Sequence, residues 1–131
     1  MGSEAKRVLV VEDDPEVRRV LVRMLGRHGY HVSEAPEGRA ALEAVTENPT
    51  DVVLTDLTLP DMNGVELIIA LRAAYPRLPV VAMSGDLQTR TPLAEVAPDL
   101  ADVITLRKPF TMAQVTEALH RALSEEDRAM A

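Results

Sequence analysis

The sequence predicts an α/β fold: an open five-stranded parallel sheet with five helices on its two faces. Three observations carry this. Short Val-rich runs alternate with amphipathic helical patterns along the whole chain, and strict β-α alternation builds parallel sheets. Three of the runs are apolar throughout, as strands covered on both faces are. With 131 residues the chain is one domain, too short for an eight-stranded barrel.

The elements follow in order. Val8-Leu9-Val10-Val11 reads as the first strand, Val52-Val53-Leu54 as the third and Val80-Val81-Ala82-Met83 as the fourth. Weaker runs at Tyr30 to Ser33 and Val103 to Leu106 supply the second and fifth. In the first helix, Val17, Val20, Leu21, Met24 and Leu25 form one apolar stripe. Asp14-Pro15 suits its N-cap and first turn, and Gly29 its stop. Ala40, Ala41, Ala44 and Val45 predict a second helix ending before Asn48-Pro49. Val65, Ile68, Ile69 and Arg72 predict a third, ending near Tyr75-Pro76. Leu93, Val96 and Ala97 support a fourth, which Pro92 and Pro98 confine to a turn or two. Met112, Val115, Ala118, Leu119, Ala122 and Leu123 make the last, with Thr111 and Gln114 at capping-box spacing. Five strands on this scale suit a flavodoxin-like sheet of order 2-1-3-4-5, whose site lies beyond the carboxyl ends of the strands.

Composition excludes several classes. Hydrophobic residues make up 47%, too many for disorder, yet aromatics are 2%: Tyr30, Tyr75 and Phe110. Ala, Leu and Val must therefore build the core. No uncharged run is long enough to span a membrane. The absence of cysteine removes disulfides, thiolate chemistry and cysteine zinc sites. Fourteen basic against 21 acidic residues leave a net charge of −7, a poor basis for nucleic-acid binding. The N-terminus runs straight into a strand pattern with no signal peptide, so a cytoplasmic location is expected.

Polar groups gather at the predicted strand ends. Glu12-Asp13-Asp14 follows the first strand, Asp56 the third, Ser84-Gly85 the fourth and Lys108-Pro109-Phe110 the fifth. Carboxylates brought into one cleft repel each other, and a hard divalent cation relieves this. Mg²⁺ suits oxygen ligands, one or two carboxylates and a phosphate. Asp13 and Asp56 could bind it directly and Glu12 through water. Lys108 could contact Asp56 or an incoming phosphoryl group as a point charge, and Ser84 could donate to a phosphoryl oxygen. These are the parts of phosphoryl transfer: a nucleophilic oxygen, a metal, a cation and positioned donors.

Val-Val-Glu-Asp-Asp-Pro, Thr-Asp-Leu-Thr-Leu-Pro-Asp-Met-Asn-Gly, Met-Ser-Gly and Lys-Pro-Phe, in that order, resemble the receiver domain of two-component response regulators. The resemblance runs from about Arg7 to Leu123. It implies that Asp56 accepts a phosphoryl group from the histidine of a sensor kinase or phosphotransfer protein. It implies that Glu12 and Asp13 hold Mg²⁺ (Mn²⁺ substituting), with Asp56 and the backbone carbonyl of Thr58 completing the ligands. Ser84 would move to hydrogen-bond the phosphoryl group and Lys108 would bind it, the bond before Pro109 being cis in the family. A receiver over residues 1–124 and a frayed or disordered tail over 125–131 are expected. Output passes to an unknown protein target, in a stand-alone regulator or in a receiver cut from a hybrid kinase or longer regulator. No direct DNA or membrane contact is expected, and there is room for a weak homodimer. Such a domain is not an enzyme beyond self-phosphorylation from small phosphodonors and self-dephosphorylation.

Other residues read more plainly. Asp14 is a cap rather than a ligand, Asp61 turn chemistry beside Pro60, and Gly64 a backbone device. His28, His31 and His120 are surface residues without metal spacing. Arg18, Arg19, Arg23 and Arg27 form a solvated face, although the first helix is where kinases dock in this family. One position departs from the pattern. Thr105 stands three residues before Lys108, where the family usually has an aromatic switch residue. Signalling is then expected through the segment after strand 4 and the short fourth helix, with Asp86 at the pocket mouth. The competing reading is a Mg²⁺-dependent phosphatase with an aspartyl nucleophile, similar to the haloacid dehalogenase family. That chemistry wants a second Asp two residues on, where this chain has Thr58. A nucleotide-binding module would need a Gly-rich turn where Glu12-Asp13-Asp14 stands. A degenerate scaffold would have lost pocket residues that are all present.

Overall fold

The computed structural model describes residues 5–85 and 97–130. Strands β1 (Arg7–Val11), β2 (His31–Ala35), β3 (Val52–Asp56), β4 (Val80–Ser84) and β5 (Ile104–Arg107) form one parallel sheet of order β2-β1-β3-β4-β5. Helices α1 (Pro15–Arg27), α2 (Gly38–Glu47), α3 (Gly64–Ala74) and α4 (Met112–Met130) cover it. The predicted fold class and strand order hold. Among the described residues the α-helices number four, not five. Leu93 and Val96, which supported the short fourth helix, lie outside the described residues, as does Asp86. Pro98 opens a 3₁₀ turn, Pro98–Leu100, which leads into β5.

Alternation along each strand divides the core into two layers. Leu9, Val11, Val53, Val80 and Ala82 pack with Ala41 and Val45 of α2 and Leu67, Ile68 and Leu71 of α3. Val8, Val10, Val52, Leu54, Val81 and Met83 pack on the other face with Leu21 and Leu25 of α1 and Val115, Ala118, Leu119 and Ala122 of α4. No aromatic residue belongs to the buried core of the described residues, so small aliphatic side chains do fill it.

The helix ends follow local chemistry. Asp14 Oδ1 accepts from the N–H groups of Glu16 and Val17, capping α1 as predicted. At the other end Gly29 adopts φ 91°, its N–H donates to Gly26 O and that of Tyr30 to Leu25 O. This Schellman ending requires the left-handed conformation that Gly tolerates. Thr111 and Gln114 form the predicted capping box, with bonds of 2.8 and 3.1 Å between each side chain and the other's N–H. α4 runs in backbone to Met130, past Ser124 where the domain is expected to end.

Two stripes need correcting. Val20 is 57% exposed, and Val22 instead packs partly against the core. Ile69 of α3 is 51% exposed, and Leu67, Ile68 and Leu71 face the sheet. A wholly apolar stretch such as Leu-Ile-Ile-Ala-Leu has no polar face to mark its outside, so only packing selects the buried residues.

Candidate functional site

The parallel sheet sends the chain out of β1, β3, β4 and β5 at one edge. The residues there are Glu12 and Asp13, Asp56, Ser84 and Lys108. Glu12 and Asp56 are buried and Asp13 is exposed, and one carboxylate oxygen from each lies within 4.8 Å of the other two. Lys108 Nζ donates to Asp56 Oδ2 at 2.7 Å and to Glu12 Oε1 at 3.0 Å. The remaining oxygens are also engaged. Asp56 Oδ1 accepts from the Thr58 N–H at 2.8 Å, and Glu12 Oε2 from the Asp14 N–H at 3.2 Å. The Lys108–Pro109 peptide bond is cis.

Electrostatics follow from this crowding. Burial raises the Glu12 carboxyl above its usual range, and the negative charge of Asp56 adds to the rise. The Lys108 and Asp14 hydrogen bonds oppose it without cancelling it. At Lys108 burial disfavours the ammonium, but the hydrogen bonds to Asp56 and then Glu12 outweigh it, so the net shift is upward. The lysine is held charged between two acids.

The loop after Asp56 is closed on itself. Thr58 pairs with Asn63 in an antiparallel bridge, and the Gly64 N–H donates to Leu57 O at 2.9 Å. A Cβ on Gly64 would collide with Leu57 Cα and come within 2.7 Å of Asp56 O, so only glycine lets α3 start here. It is the Thr58 amide that touches Asp56. Ser84 is partly buried at the end of β4, where its carbonyl accepts the Lys108 N–H at 2.8 Å. Gly85 lies against the lysine, since a Cβ there would sit 3.2 Å from Lys108 Cδ. Thr105 is exposed on β5, opposite Ala82.

Two residues have partners that their local sequence did not announce. Asp61 is no simple turn residue: its two oxygens accept from the Gly38 and Arg39 N–H groups, each at 2.9 Å, and cap α2 from another loop. Those bonds, to Arg39 first and then Gly38, hold its carboxyl below the usual range. Arg18 is not solvated like Arg19 and Arg23: it folds back to the Glu12 carbonyl at 2.8 Å and to Glu34 at 2.9 Å. Sequence spacing carries no signal for either contact, because each joins separate elements. His28, His31 and His120 are exposed as expected.

The family model described as "Response regulator receiver domain" matches residues 8–120. The response regulator receiver protein CpdR of Brucella abortus is 33% identical over 118 residues, 90% of this chain and 97% of that protein. The transcriptional regulatory protein KdpE of Mycobacterium tuberculosis is 35% identical over 116 residues, 88% of this chain but only 50% of KdpE, so the chain spans about half the length of that relative. Among solved structures, the response regulator TrrA of Thermotoga maritima in complex with Mg²⁺-BeF has a TM-score of 0.79 and 25% identity, covering 90% of this chain and 99% of TrrA. No helix among the described residues is long and apolar enough to cross a membrane.

Proposed function

Because the chain belongs to the response regulator receiver domain family of two-component signalling, we propose that it is a phospho-accepting switch with Asp56 as the acceptor. One observation carries this: a buried aspartate at a strand end, touched by a lysine at 2.7 Å and grouped with two further carboxylates. The three hard oxygen donors fit a hard divalent ion. The carboxylates of Glu12, Asp13 and Asp56 would hold Mg²⁺ or Mn²⁺, with the Thr58 carbonyl as a further ligand. TrrA, crystallised with Mg²⁺-BeF, supports this choice of ion. Bound there, the ion would offset the acids' charge and bind phosphoryl oxygens.

An Asp56 carboxylate oxygen attacks the phosphorus carried on a histidine of a sensor kinase or phosphotransfer protein. The new O–P bond forms as the N–P bond breaks, and the electron pair returns to the imidazole nitrogen. Lys108 offsets negative charge on the transferring group, and Ser84 turns to hydrogen-bond it. The product replaces the single charge of the carboxylate with the nearly two charges of an acyl phosphate and changes protein contacts made by the surrounding loops. The chain acts on a downstream protein rather than on DNA, and beyond its own phosphorylation and dephosphorylation it is no enzyme. The comparisons lend nothing to the phosphatase reading, which is dropped: Thr58 holds the position where its general acid would stand, and Thr58 carries no carboxyl group.

The test is incubation with Mg²⁺ and acetyl phosphate followed by intact-mass spectrometry. A gain of one phosphoryl group is expected, absent with a chelator and absent in Asp56→Asn. An unchanged mass, or equal labelling of Asp56→Asn, overturns the reading.

A further inference from the structure

We propose that Arg18 is a positioning residue for the acidic pocket, setting the β1–α1 turn so that Glu12 and Asp13 converge on Asp56. The inference rests on the phospho-acceptor reading above. β1 ends at Val11 and α1 starts at Pro15, so the two acids stand on a short turn between them. On one side of Glu12 its N–H donates to Ala35 O of β2 at 3.1 Å. On the other its carbonyl accepts from Arg18 Nη1 at 2.8 Å. That carbonyl belongs to the peptide plane joining Glu12 to Asp13, and the plane's rotation decides where the exposed Asp13 carboxylate lies. Arg18 therefore acts on Asp13 through the backbone.

Glu34 of β2 splints the guanidinium through Nε at 2.9 Å, and the Arg18 side chain is only 18% exposed. Three elements thus meet at one side chain: the turn, α1 and β2. A planar guanidinium can serve both acceptors at once from a fixed fork, which a lysine ammonium on a flexible stem cannot reproduce. α1 has its own Asp14 cap, Schellman ending and buried Leu21 and Leu25. The bond to Glu12 O thus adds to the turn more than to the helix. Groups that orient metal ligands from behind typically change metal affinity by 10–100-fold when removed.

The experiment titrates Mg²⁺ into the full chain by calorimetry, with circular dichroism as the check on folding. Arg18→Met, which keeps the stem and loses every donor, is expected to raise the Mg²⁺ Kd about tenfold. Arg18→Lys and Glu34→Gln should fall between it and wild type. Arg23→Met, an exposed arginine of the same helix, should match wild type. In acetyl phosphate labelling, Arg18→Met should need more Mg²⁺ yet reach the wild-type rate at saturation, a split that general destabilisation does not produce. A wild-type Kd in Arg18→Met, or an equal loss in Arg23→Met, overturns the positioning role alone. Should Arg18→Met fail to fold, wild-type affinities in both Arg18→Lys and Glu34→Gln overturn it. Wild-type protein that takes up no Mg²⁺ overturns the reading of the site and this inference with it.

Discussion

At Lys108 one ammonium touches two buried carboxylates, Asp56 at 2.7 Å and Glu12 at 3.0 Å. Removing it leaves two acids without their shared partner, and Glu12 is already pushed up by burial. Lys108→Met is expected to cost about 1–3 kcal/mol in urea unfolding with a chelator present. An unchanged unfolding free energy would show the ion pair to be idle. Glu12, Asp13, Asp56 and Lys108 were legible in the sequence because each stands just after, or at the end of, a Val-rich or apolar strand. Parallel topology then sends all four to the same edge. Arg18 and Asp61 were not legible, because their partners lie on other elements. Arg18 is one of four arginines on a single helix, and nothing in their spacing tells which of them turns inward.

α2 shows the same limit at the next scale. Its predicted residues and its end before Asn48-Pro49 hold, yet Glu37 at the N-cap position makes no side-chain cap bond. The cap comes from Asp61 in the loop after β3, and Met62 lies over Gly38, where a Cβ would meet its side chain at 2.6 Å. The loop leading away from Asp56 and the start of α2 are therefore one unit. Asp61→Ala is expected to lower the thermal midpoint at neutral pH. Folding depresses the Asp61 pKa. Its contribution is thus present above the ordinary carboxyl pKa of about 3.9 and is lost as pH falls through the lower folded value. The midpoints of wild type and variant should converge in that acid range. A gap that persists unchanged there would assign the effect to something other than the charged cap. Asp102 behaves alike, held low by Arg72, whose guanidinium also donates to Leu78 O and so ties α3 to the segments that lead into β4 and β5.

For the whole molecule, a sheet with apolar packing on both faces concentrates its polar chemistry at the strand ends, so a cation held there would be linked to global stability. Mg²⁺ at about 100 times its Kd should add about 2.7 kcal/mol to the free energy of unfolding. The rise in melting temperature with Mg²⁺ should be absent in Asp13→Asn, and an equal rise in that variant would place the ion elsewhere. The acids divide along the same line: three stand in the cleft, where Lys108 offsets part of their charge, and the other acidic residues lie outside it. The sequence by itself determined the strand order, the parallel sheet and the edge where the acids and the lysine meet. Periodicity, cap residues and strand polarity are local properties that the chain writes in series. Only the tertiary structure decided which face of α3 is buried, which arginine supports the acidic turn and which aspartate caps α2. Those outcomes depend on contacts between residues 6 to 23 positions apart that join different elements, or between helix and sheet, and such contacts leave no periodic trace in sequence.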